Sequence, residues 1–211
     1  MATIVSGATA DVMTVDPTFK AARVSIRPPE VTGAYRLAQR SGIIAASTAA
    51  TSILYAFRYT GTGVAVISSV RVGLNVTTGY TAGSIVFSIW ATRSYTVTET
   101  TAYTAATLTT NNAKLRTSFA TCAVAAGICT TTTISGGTGT DDAQPLSAVT
   151  FNLPATITGQ PVQDFFNFNL QSYPLVCAQN EGFRIRNDTA FAATGASNLV
   201  VSIEWFEASA Y

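Results

Sequence analysis

The stretch VAVISSVRVGLNV, residues 64–76, constrains this chain more than any other feature. Apolar side chains recur at every second position: Val64, Val66, Val70, Val72, Leu74 and Val76 line one face, interrupted only by Ser68, and Arg71 and Asn75 fall on the other. A period of two is the signature of a β-strand with one face buried. SIVFSIWATRSYTV repeats it, with Ile85, Phe87, Ile89 and Ala91 opposite Ser84, Ser88, Thr92 and Ser94. Gly79 and Gly83 lie between the two runs and supply turn residues, so the spacing predicts a hairpin there. Further strands are expected at Ile53–Tyr59, near Arg23–Arg27, and at Tyr35–Ala38, Ala148–Leu153, Leu175–Ala178, Phe183–Asn187 and Leu199–Phe206.

Helical signals are weak. TAATLTTNNAKLR (104–116) and QDFFNFNL (163–170) are the best candidates, each for a turn or two. Many short strands separated by Gly- and Thr-rich turns predict an all-β antiparallel sandwich, a jelly roll in its detailed form. Residues 1–40 are expected to make an N-terminal arm and first edge strand, and 41–211 the sandwich. The Thr-rich middle, 96–140, reads as an extended excursion from it.

Charge is scarce: 11% of 211 residues, where a quarter is usual, while 47% are apolar. A protein that keeps itself apart from its neighbours normally carries a mixed-charge surface. Scarcity of charge therefore points to a surface that meets other subunits. A net charge of +1 provides no field for gathering nucleic acid or anionic lipid, and neither is expected as a partner. SGIIAASTAATSILYAF (41–57) is long and uncharged, but too rich in Ser, Thr and Ala for a membrane helix, and reads as a loop entering a strand. The opening MATIVSGATADVM has neither the basic nor the apolar region of a signal peptide.

Histidine is absent, which removes the usual general base near neutral pH and the commonest metal ligand. The carboxylates Asp164, Glu181, Asp188, Glu204 and Glu207 could pair in space for glycoside cleavage, but among eleven acids such coincidences are cheap. Glu204 is most simply an arginine's partner. SGGTGTDD (135–142) lacks the Lys-Ser or Lys-Thr of a phosphate cradle and reads as a solvent loop; Asp141 and Asp142 alone make a weak calcium site. Neither an enzyme nor a bound cofactor or metal is expected. Cys122, Cys129 and Cys177 are an odd set, read as buried thiols with a Cys122–Cys129 pair as the alternative.

The remaining signal is arginine. Between Asp16 and Arg40 the basic residues Lys20, Arg23, Arg27, Arg36 and Arg40 outnumber Asp16 and Glu30, a local charge of +3. Pro28-Pro29 prevents a continuous helix through the segment, and Phe19 and Tyr35 give it apolar anchors. In EGFRIRND (181–188), Phe183 and Ile185 alternate with Arg184 and Arg186, which project two guanidiniums from one strand face. Phe19, Lys20, Arg23, Arg27, Tyr35, Arg36, Arg40, Arg184 and Arg186 are therefore the expected interface residues, arginine being suited to bidentate carboxylate contacts.

VDPTFKAARVSIRPPE followed by YRLAQRSG, then TTNNAKLRTS, DAQPL, AQNEGFRIRND and VSIEWFE, resembles structural proteins in the virion gene clusters of tailed bacteriophages. The resemblance implies a virion location, as a capsid decoration or cement protein. Its partners would be copies of itself, as a homo-oligomer and in particular a trimer, and the major capsid protein. The alternative is a head or tail fibre module that binds a receptor or carbohydrate, with Tyr95, Tyr103 and Tyr173 as loop candidates for a surface aromatic platform.

Overall fold

The computed structural model describes residues 31–81, 83–109, 112–157, 160–167 and 173–209, with the backbone of 5–6 and 11–12. Every regular element among them is a β-strand. They are β1 (Val5–Ser6), β2 (Asp11–Val12), β3 (Val31–Arg40), β4 (Ser52–Tyr59), β5 (Val64–Thr78), β6 (Gly83–Arg93) and β7 (Tyr103–Ala105), followed by β8 (Val124–Cys129), β9 (Thr140–Asp141), β10 (Ser147–Leu153), β11 (Gln163–Asn167), β12 (Leu175–Cys177), β13 (Gly182–Asn187) and β14 (Ala196–Ala208).

Two antiparallel sheets make a β-sandwich. One runs β10-β6-β13-β4-β8-β7, with β9 also on β6; the other runs β11-β5-β14-β3, with β12 also on β5. The core lies between them. Leu199, Val201, Ile203 and Trp205 of β14 share the inner face, as their alternation predicts, and each is at most 2% exposed. Phe57 of β4 meets Trp205 edge-on at 5.5 Å across the gap and stacks on Phe183 at 5.0 Å. Each such pair adds about 0.5–1.5 kcal/mol to the area it buries.

Several expectations need correction. β5 and β6 are no hairpin: they belong to opposite sheets. A Cβ on Gly79 would stand 2.0 Å from the Ala155 carbonyl oxygen, and the Tyr80 N–H donates to Pro154 at 2.9 Å. This glycine serves a close backbone approach. Ser68, the gap in the β5 alternation, is where the register slips: Ser69 faces Glu204, but Ile67 faces Trp205. The bulge exchanges faces, so Ala65 and Ile67 join the core below it while Val70, Val72, Leu74 and Val76 do so above.

QDFFNFNL is not helical where described. Gln163–Asn167 pairs along the open edge of β5 and turns Phe165 inward, 5% exposed. The described part of the other helix candidate holds the end of β7 and turns. Nor is 96–140 an excursion: β8 zips onto β4 from Tyr55↔Ile128 to Tyr59↔Val124, and Leu108, Ile128 and Ile134 enter the core. The 41–51 segment is a loop leading into β4, as read. Cys122, Cys129 and Cys177 are free and buried.

Candidate functional site

The two outer faces of the sandwich differ. On the seven-stranded sheet, β13 alternates Phe183 and Ile185 inward with Arg184 and Arg186 outward, beside Ser88, Trp90 and Thr92 of β6. Residues 94–100 and 135–142, on either side of β7 and β8, fold over this face. The Arg184 Nε donates to Glu99 Oε1 at 2.9 Å, its Nη1 to Asp141 Oδ1 at 3.2 Å and its Nη2 to the Thr138 carbonyl at 3.1 Å. The guanidinium also lies 4.8 Å above the centre of the Tyr95 ring. Asp141 pairs with Arg186 too and accepts from Thr92 Oγ1 at 2.7 Å, while the Tyr95 hydroxyl donates to Glu99. Arg186 rests 5.2 Å over Trp90.

Two guanidiniums thus meet two carboxylates, with Arg184 5% and Glu99 2% exposed. Burial pushes the Glu99 carboxyl above the ordinary glutamate value, and the Arg184 charge opposes that rise. SGGTGTDD is a loop with Ser135, Gly136, Thr138 and Thr140 exposed, whose inner side is fastened to Arg184 through Asp141 and the Thr138 carbonyl. At Gly139, φ is +129°, and a Cβ would stand 2.7 Å from the Thr92 methyl, so the backbone can close over Arg184 there only because no side chain is present.

A second fastening lies at one end of the sandwich. Glu207 of β14 is 5% exposed, and both its oxygens accept from the Ala123 N–H, at 2.9 and 3.1 Å. The Trp205 indole donates to it at 3.3 Å. Tyr35, stacked on Trp205 at 5.2 Å, donates to the Ala120 carbonyl at 2.9 Å. Burial raises the Glu207 carboxyl as well.

The five-stranded sheet carries no such cover among the described residues of 94–157. Its outer face presents Arg36, Ala38 and Arg40 of β3, Val200, Ser202 and Glu204 of β14, and Ser69, Arg71 and Gly73 of β5. Arg36 pairs with Glu204 at 2.6 Å, and Arg71 Nε lies 2.9 Å from Asp164 Oδ1. Arg36, Ser69, Arg71, Val162, Ser202 and Glu204 line a groove of about 330 Å³ on this face. Apolar side chains also stand exposed: Leu146 47% and Tyr173 98%, which line a shallow pocket with Phe166 and Leu175, and Ile157 72% and Val162 64%.

The expected interface residues divide accordingly. Phe19, Lys20, Arg23 and Arg27, with the strand near Arg23–Arg27, lie outside the described residues. Arg36 is exposed and takes Glu204, the arginine partner expected for that carboxylate; Arg40 is exposed and donates to Asn198 Oδ1 at 2.9 Å. Tyr35 is corrected from surface anchor to core, since its ring is wholly buried against Trp205. Arg184 is corrected likewise: its donors are used inside the chain. Arg186 is partly exposed, 22% at its side chain, and held by Asp141. Of the tyrosines considered for a platform, Tyr95 is buried beneath Arg184, Tyr103 is part-buried on β7, and Tyr173 is exposed.

The five carboxylates weighed for glycoside cleavage have separate partners. Asp164 sits beside Arg71, Glu204 beside Arg36, and Glu181 accepts from Arg93 at 2.8 Å; Asp188 accepts from Ser88 at 2.6 Å and Glu207 from Ala123. No cluster of three metal-ligating side chains occurs among the described residues, and no helix there is long and apolar enough to cross a membrane. Sequence reasoning missed Glu99 and Ser69. Glu99 had one visible trace, a lone acid in an otherwise uncharged Thr-rich run. The chain matches no protein-family model, no curated protein and no solved structure.

Proposed function

We propose that this chain is a non-enzymatic structural component of a tailed-phage virion, a capsid decoration or cement protein that self-associates and packs against the major capsid protein. The observation that carries the reading is the unequal dressing of the two sheets. Residues 94–100 and 135–142 cover one outer face, while among the described residues the other presents small neutral side chains and two ion pairs, and Leu146, Ile157, Val162 and Tyr173 stand exposed. Apolar area of that kind gains roughly 25 cal/mol per Å² when a neighbour covers it.

Strand order supports the jelly-roll form of the sandwich. Leaving aside β7–β9 and β12, the long strands read β3-β14-β5-β11 in one sheet and β4-β13-β6-β10 in the other. That is the interleaving of two Greek keys. The sequence resemblance supports the virion location, and the exposed apolar side chains support a homo-oligomer.

The test is particle composition. The protein is expected in purified virions in stoichiometric amount, and the isolated chain is expected to sediment as an oligomer. A monodisperse monomer that is absent from particles overturns the reading. The groove on the five-stranded sheet favours a second reading, a fibre module that binds a receptor or carbohydrate.

A further inference from the structure

We infer that the groove between β5, β14 and β3 is a binding site for a neutral polyhydroxyl ligand, a single sugar unit. The inference deepens the second reading above by naming its ligand class, and rests on the groove rather than on the virion assignment.

Its strongest support is an unanswered polar group. Ser69 is 4% exposed, lines the groove, and its hydroxyl has no hydrogen-bond partner. Buried hydroxyls are normally satisfied, and leaving one unpaired costs about 1–3 kcal/mol. Beside it, Arg71 forms an ion pair with Asp164, its Nε 2.9 Å from Oδ1, on a half-exposed side chain. Both residues occupy outward positions of the same strand, two residues apart, and both line the groove.

Charge selects the ligand. Arg36 faces Glu204 and Arg71 faces Asp164, so an added anion would meet two carboxylates and an added cation two guanidiniums. A neutral polyol meets neither penalty. Its hydroxyls donate to Glu204 and accept from Arg71, Ser69 can do either, and the Val162 side chain offers an apolar wall for ring C–H groups. The volume of about 330 Å³ is at the small end of ligand sites, which run from about 300 to 1,000 Å³, so one ring is the fit.

The experiment titrates the full chain with methyl glucoside, methyl mannoside, methyl galactoside and N-acetylglucosamine, and separately with acetate and phosphate, by calorimetry and saturation-transfer NMR. At least one sugar is expected to bind with a dissociation constant on the order of 1 mM. Ser69→Val and Arg71→Met should weaken it by about tenfold or more with circular dichroism unchanged, while Arg40→Gln, outside the groove, leaves it intact. Should Arg71→Met fail to fold, Ser69→Ala with the same titration decides. The inference is overturned by no sugar binding up to about 50 mM, by sugar binding indifferent to the Ser69 variants, or by binding of the anions alone. A chain that is stoichiometric in particles yet binds no sugar overturns this inference and leaves the virion assignment standing.

Discussion

Arg184 has two faults as a surface residue and none as a buried one. Its fork is filled by Glu99, Asp141 and the Thr138 carbonyl, and its flat face by Tyr95. Arg184→Ala should destabilise the fold by about 3–5 kcal/mol in urea unfolding, chiefly because Glu99 is left charged, buried and unpaired. Arg184→Met combined with Glu99→Gln should recover much of that loss, since the isolated charge disappears with its partner. Glu207 yields a pH prediction. It and Glu99 have folded values raised above 4.5 by burial, so the stability they contribute is complete below that pH and is lost as pH rises through the raised values. Around Glu207 stand Tyr35, Tyr59, Cys122 and the Trp205 indole, with the Ala123 amide as donor. The urea midpoint should therefore fall as pH rises from 4.5 toward neutrality, and Glu207→Gln should flatten that slope in the same assay.

At the level of elements, the strand content of this chain was largely legible and its pairing was not. The alternation of β6 and β14 survives intact because each keeps one face on the core for its whole length. That of β5 misleads because Ser68 occupies a bulge, which a single chain's pattern displays only as a missing valine. β11 read as helical because Phe165, Phe166 and Phe168 mix two periods over a few residues; pairing to β5 settles its described part in favour of strand. β8 was hidden in a run of Thr and Ala whose local preference is weak, and its place beside β4 depends on partners 65–73 residues away in sequence. The outward pair of arginines on β13 was foreseen, but not the cover over them, since Glu99 and Asp141 reach that face only through the path of 94–142. Because β8 is an inner strand of its sheet, amides 124–129 should exchange as slowly as those of β4 in hydrogen-exchange mass spectrometry. Rapid exchange confined to β8 would contradict its pairing.

For the molecule as a whole, the scarcity of charge becomes a statement about what holds copies together. Most described ions are matched within the chain: Arg36 with Glu204, Arg71 with Asp164, Arg93 with Glu181, and Arg184 and Arg186 with Glu99 and Asp141. The contacts of the proposed oligomer then rest on apolar area, which salt does not screen. Its dissociation constant should change by less than about threefold between 0.05 and 1 M sodium chloride in sedimentation equilibrium, where a charge-driven assembly would loosen steeply. The three thiols give the fold a built-in stopwatch. Burial pushes Cys122 up to about 11 and Cys129 and Cys177 up to about 12, so none is a ready nucleophile while the sandwich is closed. They sit in three different places: the return of the covering segment, an inner strand of one sheet and an edge strand of the other. Pulsed alkylation with peptide mapping should report separately when each region opens, with Cys177 at the edge reacting before Cys129.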